Sequence, residues 1–462
     1  MKIIIIGAGP GGYETALVAA KRGVEVVLIE AGPVGGTCLN EGCIPTKAFC
    51  KNAEVLDGLK EAEVFGVTGL SYAFDFKAVA ARKNAVVEQL RGGVEGLLGH
   101  KNITLVRGKA SFKDAHTVTV IPSEAGESQE YTADYIIIAT GSVSASLPIP
   151  GADLPGILTS REILDVEEVP QRLCVIGGGV IGLEFASIFR SFGSEVTVLE
   201  YFKDILPRFD TDLSKRLKQS LGKRGIEIST QSQVTSITEE SGEYTVTFTR
   251  KGKEETVVAD KVLMAVGRKA NVSSLNLADA GVEFTPRGIV VNEVMQTNVP
   301  HIYAVGDING LMMLAHAATF QGIVALDHIM GVGNDIDLSV MPAAVFTSPE
   351  AACVGKTEDE CKDAGIPVKC LKSFFRANGK AVTMGETDGF CKIVVAAEPK
   401  EGTESPYEPG RVLGCHLYGP HASDIVQEAC AMISRKATLK EFQDVIHTHP
   451  TLTEVLQSAL HS

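Results

Sequence analysis

The chain opens with a pattern of hydrophobic and polar positions that occurs again near its middle. Residues 2–30 run through an apolar stretch, a glycine-rich turn, an amphipathic stretch, one more glycine and a second apolar stretch ending in Glu30. Residues 172–200 repeat this order and end in Glu200. Such a pattern predicts a strand, a tight turn, a helix and a second strand. The sequence therefore predicts two strand–helix–strand units and an α/β fold.

Both units carry the spacing Gly-x-Gly-x-x-Gly between the first strand and the helix. The first glycine permits a tight turn, the second lets a pyrophosphate approach the backbone, and the third lets the helix pack closely on the strand. The N–H groups at the start of the helix can bind phosphate, and the final carboxylate can accept hydrogen bonds from a ribose. The repeated context predicts two Rossmann-like dinucleotide-binding domains of three layers (ββα), with Gly7, Gly9, Gly12 and Glu30 in the first and Gly177, Gly179, Gly182 and Glu200 in the second.

Glycine- and proline-rich segments divide the chain into four parts. Buried strands that end in glycine follow each nucleotide unit, and a connector rich in proline and glycine lies between the units. Past residue 342, hairpin-like strands precede helices, and Glu398–Gly410 is predicted as an exposed loop. We predict a first nucleotide domain at residues 1–145, a second at 146–268, a return to the first at 269–341, and an α+β domain at 342–462.

Composition narrows the class of protein. The formal net charge of −14 disfavours a nucleic-acid or membrane-surface partner. The chain begins almost directly on a predicted strand, and its first apolar run is too short for a signal or a membrane span. Eight of the 10 cysteines are scattered singly, a distribution that differs from a disulfide framework. This distribution predicts a cytoplasmic protein. We predict no metal site.

Cys38 and Cys43 are the exception among the cysteines, because they stand close together. In a regular helix a five-residue step leaves Cα atoms about 8–9 Å apart, beyond the reach of a disulfide. A bond between them therefore needs a break in the helix, which Gly42 permits. So small a ring stabilises a fold little, which favours a reactive, reversible disulfide, with two structural thiols as the alternative. Lys47 can supply the positive charge that favours a thiolate.

The segment Gly35–Lys47 resembles the active-site signature of the pyridine nucleotide–disulfide oxidoreductases, and the resemblance covers essentially the whole chain. It implies FAD on the first Gly-x-Gly-x-x-Gly fingerprint and a nicotinamide nucleotide on the second such fingerprint. It also implies that Cys38 exchanges with the substrate dithiol, that Cys43 lies against the flavin, and that Lys47 pairs with Glu184.

The resemblance implies further contacts with both nucleotides. Asp307, in a Gly-Asp motif, is expected on the ribitol of the flavin; a turn residue or a helix cap is the alternative. Glu41, where the family more often has an apolar residue, either opposes thiolate formation or faces solvent. The other implied contacts are Gly36, Thr37, Lys47, Ala110 and Ala315 for FAD, and Ile181, Val234, Gly267 and Arg268 for NAD.

The segment Val445–Val455 resembles the C-terminal His-Pro-Thr-Leu-Ser-Glu signature of the family, with Thr453 in place of serine. The match implies that His449 is the base of the thiol reaction and that Glu454 orients its ring; His447 is the weaker candidate. In the family this base acts on the disulfide of the other subunit. The resemblance therefore implies a homodimer with the C-terminal domain at the interface.

The substrates follow from one residue and from the resemblance. Glu200 favours NAD over NADP, because a carboxylate accepts from the ribose 2′-OH and repels a 2′-phosphate. Within the family the chain most resembles members that oxidise protein-bound dihydrolipoamide. The expected partners are lipoylated carrier domains of 2-oxoacid dehydrogenase or glycine-cleavage systems. The alternatives are a reductase for glutathione-like or coenzyme-thiol disulfides and a non-catalytic flavoprotein.

Overall fold

The computed structural model describes residues 1–123, 126–399 and 404–462. Over these residues it contains two α/β regions with parallel strands, which are named the first and second nucleotide folds after the predicted sites, and a C-terminal antiparallel sheet. The α-helices are α1 (Pro10–Lys21), α2 (Gly36–Glu41), α3 (Cys43–Lys60), α4 (Phe76–Leu98), α5 (Val180–Phe192), α6 (Thr211–Lys223), α7 (Ala315–Ile329), α8 (Glu358–Asp363), α9 (Gly379–Met384), α10 (Ala422–Ser434), α11 (Leu439–Gln443) and α12 (Glu454–Leu460).

The first sheet is mostly parallel and is covered on both faces. Its apolar strands are buried because α1 and α7 pack on one face. The hairpin formed by Ile103–Phe112 and Thr117–Pro122 packs on the other face, together with the segment 270–289. The first strand–helix–strand unit is present as predicted. In spatial order the described strands are Ile302–Ala304, Tyr135–Ile138, Lys2–Ile6, Glu25–Glu30, Ile103–Phe112, Thr117–Pro122 and Gln129–Thr132.

The second sheet repeats the plan with parallel strands. Helix α5 lies on one face, and a three-stranded antiparallel layer covers the other. The three-layer architecture predicted from the sequence is confirmed. The described parallel strands are Ile226–Thr230, Glu195–Glu200, Arg172–Ile176, Lys261–Met264 and Ile157–Leu158, and those of the antiparallel layer are Ser232–Glu240, Glu243–Arg250 and Lys253–Ala259.

The C-terminal region has an antiparallel sheet with α10 and α12 packed on it, so the predicted α+β class is confirmed. Its described strands are Ala343–Val345, Glu350–Gly355, Val412–Gly419, Phe390–Ala396 and Val368–Phe374. Small two-stranded ladders join Ser142–Ser144 to Arg268–Ala270 and Phe284–Thr285 to Gly288–Ile289. Part of the predicted loop Glu398–Gly410, residues 400–403, lies outside the described residues.

Two observations bear on how the regions join. The late strand Ile302–Ala304 pairs with Tyr135–Ile138, so the chain returns to the first sheet after the second nucleotide fold. Lys392 of the C-terminal sheet, whose side chain is 2% exposed, lies 3.0 Å from the fully buried Asp210 at the start of α6. The boundaries of the four predicted parts remain predictions. Within the described residues, no helix combines the length and the apolar character that crossing a bilayer needs.

Candidate active site

The two neighbouring cysteines lie where α2 and α3 meet. Helix α2 ends at Glu41, α3 begins at Cys43, and Gly42 between them has φ −142° and ψ −111°. A Cβ on Gly42 would lie 2.8 Å from the carbonyl oxygen of Thr37, so a side chain here would displace one helix. The helix break that a Cys38–Cys43 bond needs is therefore present, and in this structure both residues are thiols.

The two thiols influence each other strongly. The hydrogen bond from Cys38 lowers the pKa of Cys43 to about 7, and the positive charge of Lys47 acts in the same direction, against burial and the Glu184 carboxylate. The same hydrogen bond, together with burial, raises the pKa of Cys38 well above that of an ordinary thiol. The first proton of the pair thus leaves near neutral pH, and the thiolate resides on Cys43.

Lys47 lies one helical turn after Cys43 and is fixed by an ion pair. Its Nζ lies 3.0 and 2.8 Å from the two carboxylate oxygens of Glu184 on α5. The backbone N–H of Phe346 donates to the same carboxylate at 3.0 Å, and the Phe346 ring lies 4.3 Å from Nζ. The contact that the resemblance implied between Lys47 and Glu184 is therefore present, and three segments distant in sequence meet at the thiol pair.

The first fingerprint forms a narrow backbone cradle. Gly7 has φ +103°, and a Cβ on Gly36 would lie 2.6 Å from the Cα of Gly9, so a chain of atoms can pass close to both backbones. Glu30 lies at the end of its strand, where its carboxylate accepts from the N–H of Ala8 at 2.6 Å. This combination of a glycine cradle, the start of α1 and a fixed carboxylate fits a dinucleotide.

The second fingerprint has the same construction. Gly177 has φ +114°, and Glu200 is buried at the end of its strand. One carboxylate oxygen of Glu200 accepts from the N–H of Gly178 at 2.5 Å and the other from the N–H of Phe202 at 2.7 Å. The two hydrogen bonds fix the carboxylate at the edge of the cleft, where it fits a ribose diol.

One continuous cleft of about 3260 Å³ contains both cradles and the thiol pair. Small-molecule sites usually enclose roughly 300–1,000 Å³, so this cleft has room for more than one ligand. The predicted residues that line it are Gly7, Gly9, Glu30, Gly36, Thr37, Cys38, Cys43, Lys47, Ala110, Asp307 and Ala315, and Gly177, Gly179, Ile181, Glu184, Glu200, Val234, Gly267 and Arg268.

Two predicted glycines do not line the cleft. A Cβ on Gly12 would lie 1.8 Å from the carbonyl oxygen of Gly7, and one on Gly182 would lie 2.0 Å from that of Gly177. Both glycines therefore act through close packing of the helix on the turn rather than through contact with a ligand, as the role of the third glycine predicts.

Asp307 and Arg268 lie close to each other between the two nucleotide sites. Ser142 donates a hydrogen bond from its hydroxyl to the Asp307 carboxylate. Arg268 Nε donates to the Ser142 hydroxyl oxygen at 2.7 Å and lies 3.9 Å from Asp307 Oδ2. Arg268, which the sequence assigned to NAD, is thus connected to the Asp307 side of the cleft.

His449, the predicted base, does not meet the thiols within one chain. His449 Nδ1 lies 2.8 Å from Glu454 Oε1, as the predicted pair requires, yet the His449 side chain is 79% exposed and neither residue lines the cleft. The N–H of Thr451 donates to Glu454 at 2.8 Å and, with His449, lowers the pKa of this carboxyl. The side chain of His447 is buried, with its Nε2 2.8 Å from Glu428.

The structure also places residues at the site that the sequence did not single out. Phe346 follows a short strand in the C-terminal region and has no local signal that connects it to Lys47. Arg161 lies 2.9 Å from Glu41, so Glu41 is paired rather than free. The exposed rings of Tyr201 and Phe202 line the cleft directly after Glu200, and their position after the fingerprint carboxylate was the signal that could have identified them.

Comparison with known proteins agrees with this geometry. Residues 1–322 match the pyridine nucleotide-disulphide oxidoreductase family, and residues 341–460 match the dimerisation domain of that family. The chain is 40% identical to a dihydrolipoyl dehydrogenase of Chlamydia pneumoniae over 454 residues, which cover 98% of this chain and 94% of the relative. It is 39% identical to a dihydrolipoyl dehydrogenase of Bacillus subtilis over 464 residues, 100% of this chain and 98% of the relative.

Solved structures resemble the whole chain as well. LpdA from Mycobacterium tuberculosis superposes with a TM-score of 0.91 at 27% identity, covering 100% of this chain and 99% of that one. The HOCl-induced flavoprotein disulfide reductase RclA from Escherichia coli superposes with a TM-score of 0.86 at 28% identity, again over 100% and 99%. The chain belongs to the pyridine nucleotide-disulphide oxidoreductase family.

Proposed function

We propose that the chain catalyses the oxidation of protein-bound dihydrolipoamide to lipoamide with reduction of NAD⁺ to NADH. The observation that carries this proposal is the position of the Cys38–Cys43 pair, with Lys47 and Glu184, in the same cleft as two dinucleotide cradles. Relatives named dihydrolipoyl dehydrogenase that match almost the whole chain support the choice of substrate.

The cofactors of the enzyme are FAD and NAD. We assign FAD to the first cradle, with Glu30 and Asp307 as polar contacts, and NAD to the second, with Glu200 as the ribose contact. When bound, FAD supplies a group that accepts an electron pair from a dithiol and delivers it as hydride to NAD⁺. The carboxylate of Glu200 is fixed by two backbone N–H groups, and this disfavours the 2′-phosphate of NADP.

The dithiol chemistry takes place at the two cysteines. A thiolate of dihydrolipoamide attacks Cys38 of the oxidised pair, the Cys38–Cys43 bond breaks, and Cys43 leaves as a thiolate. The second substrate thiol then attacks the mixed disulfide, which releases lipoamide and leaves both cysteines reduced. Cys43 is suited to be the leaving group because its pKa is lowered to about 7 by Cys38 and Lys47, and a thiol of lower pKa leaves faster.

The substrate must lose a proton before it attacks, and we assign this proton to His449. Glu454 orients the imidazole through the contact at Nδ1, so Nε2 is the atom that accepts the proton. His449 is exposed and lies outside the cleft of its own chain. We therefore propose that it completes the site of a second copy. The match of residues 341–460 to a dimerisation domain supports a homodimer.

Steady-state kinetics of the purified holoenzyme test the proposal. We expect turnover of dihydrolipoamide with NAD⁺ and a long-wavelength absorbance band after reduction by one equivalent of dithiol. Cys43→Ser should abolish both. A preference for NADPH with glutathione disulfide, or turnover of neither substrate pair, would contradict the proposal and favour another disulfide reductase or a non-catalytic flavoprotein.

The partners and the location remain proposals of finer detail. We propose lipoylated carrier domains of 2-oxoacid dehydrogenase or glycine-cleavage systems as the source of dihydrolipoamide. Lipoylated domains of both kinds, offered separately as substrates, would distinguish them by their kcat/KM. A cytoplasmic location is inferred from the scattered cysteines alone.

A further inference from the structure

An ion pair beside the thiols takes no part in the proposed reaction. Arg161 Nε lies 2.9 Å from Glu41 Oε2. Glu41 is the last residue of α2, three positions after Cys38. Residues three apart lie on the same face of a helix, with Cβ atoms about 5–6 Å apart. Glu41 therefore lies on the same face of α2 as the thiol that receives the substrate.

Arg161 reaches this position from a distant segment that is held by its own contacts. It directly precedes the 3₁₀ helix Glu162–Asp165, which follows a strand of the second sheet. Lys83 on α4 donates from Nζ to the carbonyl oxygen of Leu164 at 2.8 Å and to the Asp165 carboxylate at 2.7 Å. The Lys83 side chain is 4% exposed, so the lysine that holds this segment is buried, while Asp165 is exposed. The fold thus presents the guanidinium to α2.

The pair also lies at a boundary between two cavities. Asn40, Glu41 and Arg161 line both the large cleft and an adjoining cavity of about 320 Å³. The side chain of Arg161 is 68% exposed and that of Glu41 is 34% exposed. Water screens an ion pair with this exposure, so its contribution to stability is small. Its consequence is expected in the charge close to Cys38.

We propose that Arg161 is a positioning residue that neutralises Glu41 and thereby keeps this carboxylate from opposing the negative charge that forms on the thiol pair. The inference rests on the proposed function. Reduction of the disulfide takes up two electrons and one proton, breaks the S–S bond, and leaves one thiol and one thiolate. A carboxylate without a partner disfavours that thiolate, and a guanidinium without a partner favours it.

The remaining titratable groups around the thiols do not duplicate this role. The thiols interact with Lys47 and Glu184, which are paired with each other, with the phenol of Tyr13, whose pKa is raised by burial, and with each other. Glu41 is the acidic residue of α2, the helix that carries Cys38. Its compensation depends on Arg161.

Single and double substitutions test the inference through opposite signs. Arg161→Met leaves Glu41 uncompensated, and we expect the equilibrium constant for reduction of the Cys38–Cys43 disulfide to fall by only about threefold, because water screens this partly exposed carboxylate. Glu41→Gln leaves Arg161 uncompensated and should raise it about threefold. The double variant should return to within about 1.5-fold of the wild type. Threefold corresponds to about 14 mV for a two-electron couple.

The readout is independent of turnover. Each holoenzyme is equilibrated without oxygen in dithiothreitol redox buffers, its thiols are trapped by alkylation, and the reduced fraction of Cys38 and Cys43 is measured by mass spectrometry. Lys113→Met and Glu130→Gln serve as the matched control. Lys113 directly follows the strand Ile103–Phe112, and its Nζ lies 2.7 Å from Glu130 in the strand Gln129–Thr132. Both side chains of this pair are exposed, and neither residue lines the cleft. The control variants should not shift the equilibrium.

Two results would overturn the inference. One is a shift of the same sign in Arg161→Met and Glu41→Gln, which indicates a structural role only. The other is a shift no larger than that of the control pair, in variants that keep wild-type flavin content and thermal melting. Failure of the proposed function looks different, because a wild-type pair that never forms a reversible disulfide would give no equilibrium to shift.

Discussion

Replacing Lys47 by Met should move the titration of the active-site thiolate to higher pH. Lys47 lies four positions after Cys43 on α3, a spacing that places Cβ atoms about 6 Å apart. Taken as the separation of the Lys47 ammonium and the Cys43 thiolate, this distance gives an interaction of about 2.8 kcal/mol at an effective dielectric constant of about 20. The Lys47 side chain is 31% exposed and Cys43 faces the open cleft, so we halve this value for solvent screening.

The remaining energy of about 1.4 kcal/mol corresponds to about one pKa unit. The pKa of Cys43, lowered to about 7 in the wild type, should therefore rise to about 8 in Lys47→Met. The sign follows from the loss of a cation that favours the thiolate. At pH 7 the thiolate fraction should fall from about one half to about one tenth, and above pH 9 the two proteins should be nearly alike.

The assay is the long-wavelength absorbance band of the dithiol-reduced holoenzyme, recorded from about pH 5 to about pH 10. Glu184→Gln removes a carboxylate that raises the Cys43 pKa, so its midpoint should move in the opposite direction. Lys51→Met is the matched control, because Lys51 lies one turn further along α3, is exposed and pairs with Glu54. A midpoint that stays at the wild-type value or falls in Lys47→Met would refute the electrostatic reasoning.

Three further predictions concern the helix break, the buried ion pair and the C-terminal base. Gly42→Ala places a Cβ against the carbonyl oxygen of Thr37, so it should slow disulfide formation, measured by thiol trapping. It should also lower the free energy of unfolding in urea by about 1–3 kcal/mol. A wild-type rate of disulfide formation would contradict this. Lys392→Met leaves the fully buried Asp210 unpaired and should cost about 3–5 kcal/mol in urea unfolding, unlike Lys440→Met in an exposed pair. Glu454→Gln should lower kcat at least about tenfold and leave KM for NAD⁺ unchanged. An unchanged kcat would show that Glu454 does not assist His449 as the base.

Local chemistry allowed much of the molecule to be predicted. The two glycine fingerprints, the strands and helices around them, and the final carboxylates follow from turn geometry and periodicity within about 30 residues. The helix break at Gly42 was also predictable, because a disulfide of that spacing cannot form on a regular helix. These features depend on neighbours along the chain and not on how distant segments pack.

Contacts between distant segments depended on the tertiary structure. The resemblance implied the pairing of Lys47 with Glu184, but only packing of α3 against α5 creates it. A separate contact of α5 with the C-terminal strand Ala343–Val345 brings Phe346 to both residues. The state of Glu41 could not be decided from the sequence, because its partner Arg161 comes from another nucleotide fold.

The sequence by itself determined the residues that each segment carries: two glycine-rich turns each followed by a carboxylate, two neighbouring cysteines, and a histidine five positions before a glutamate. The tertiary structure decided which of these share one cleft, and it left His449 outside the cleft of its own chain. The physical reason is that turns and helices are specified by local backbone geometry, whereas charge compensation and cleft formation depend on side chains that only long-range packing brings within a few ångströms of each other.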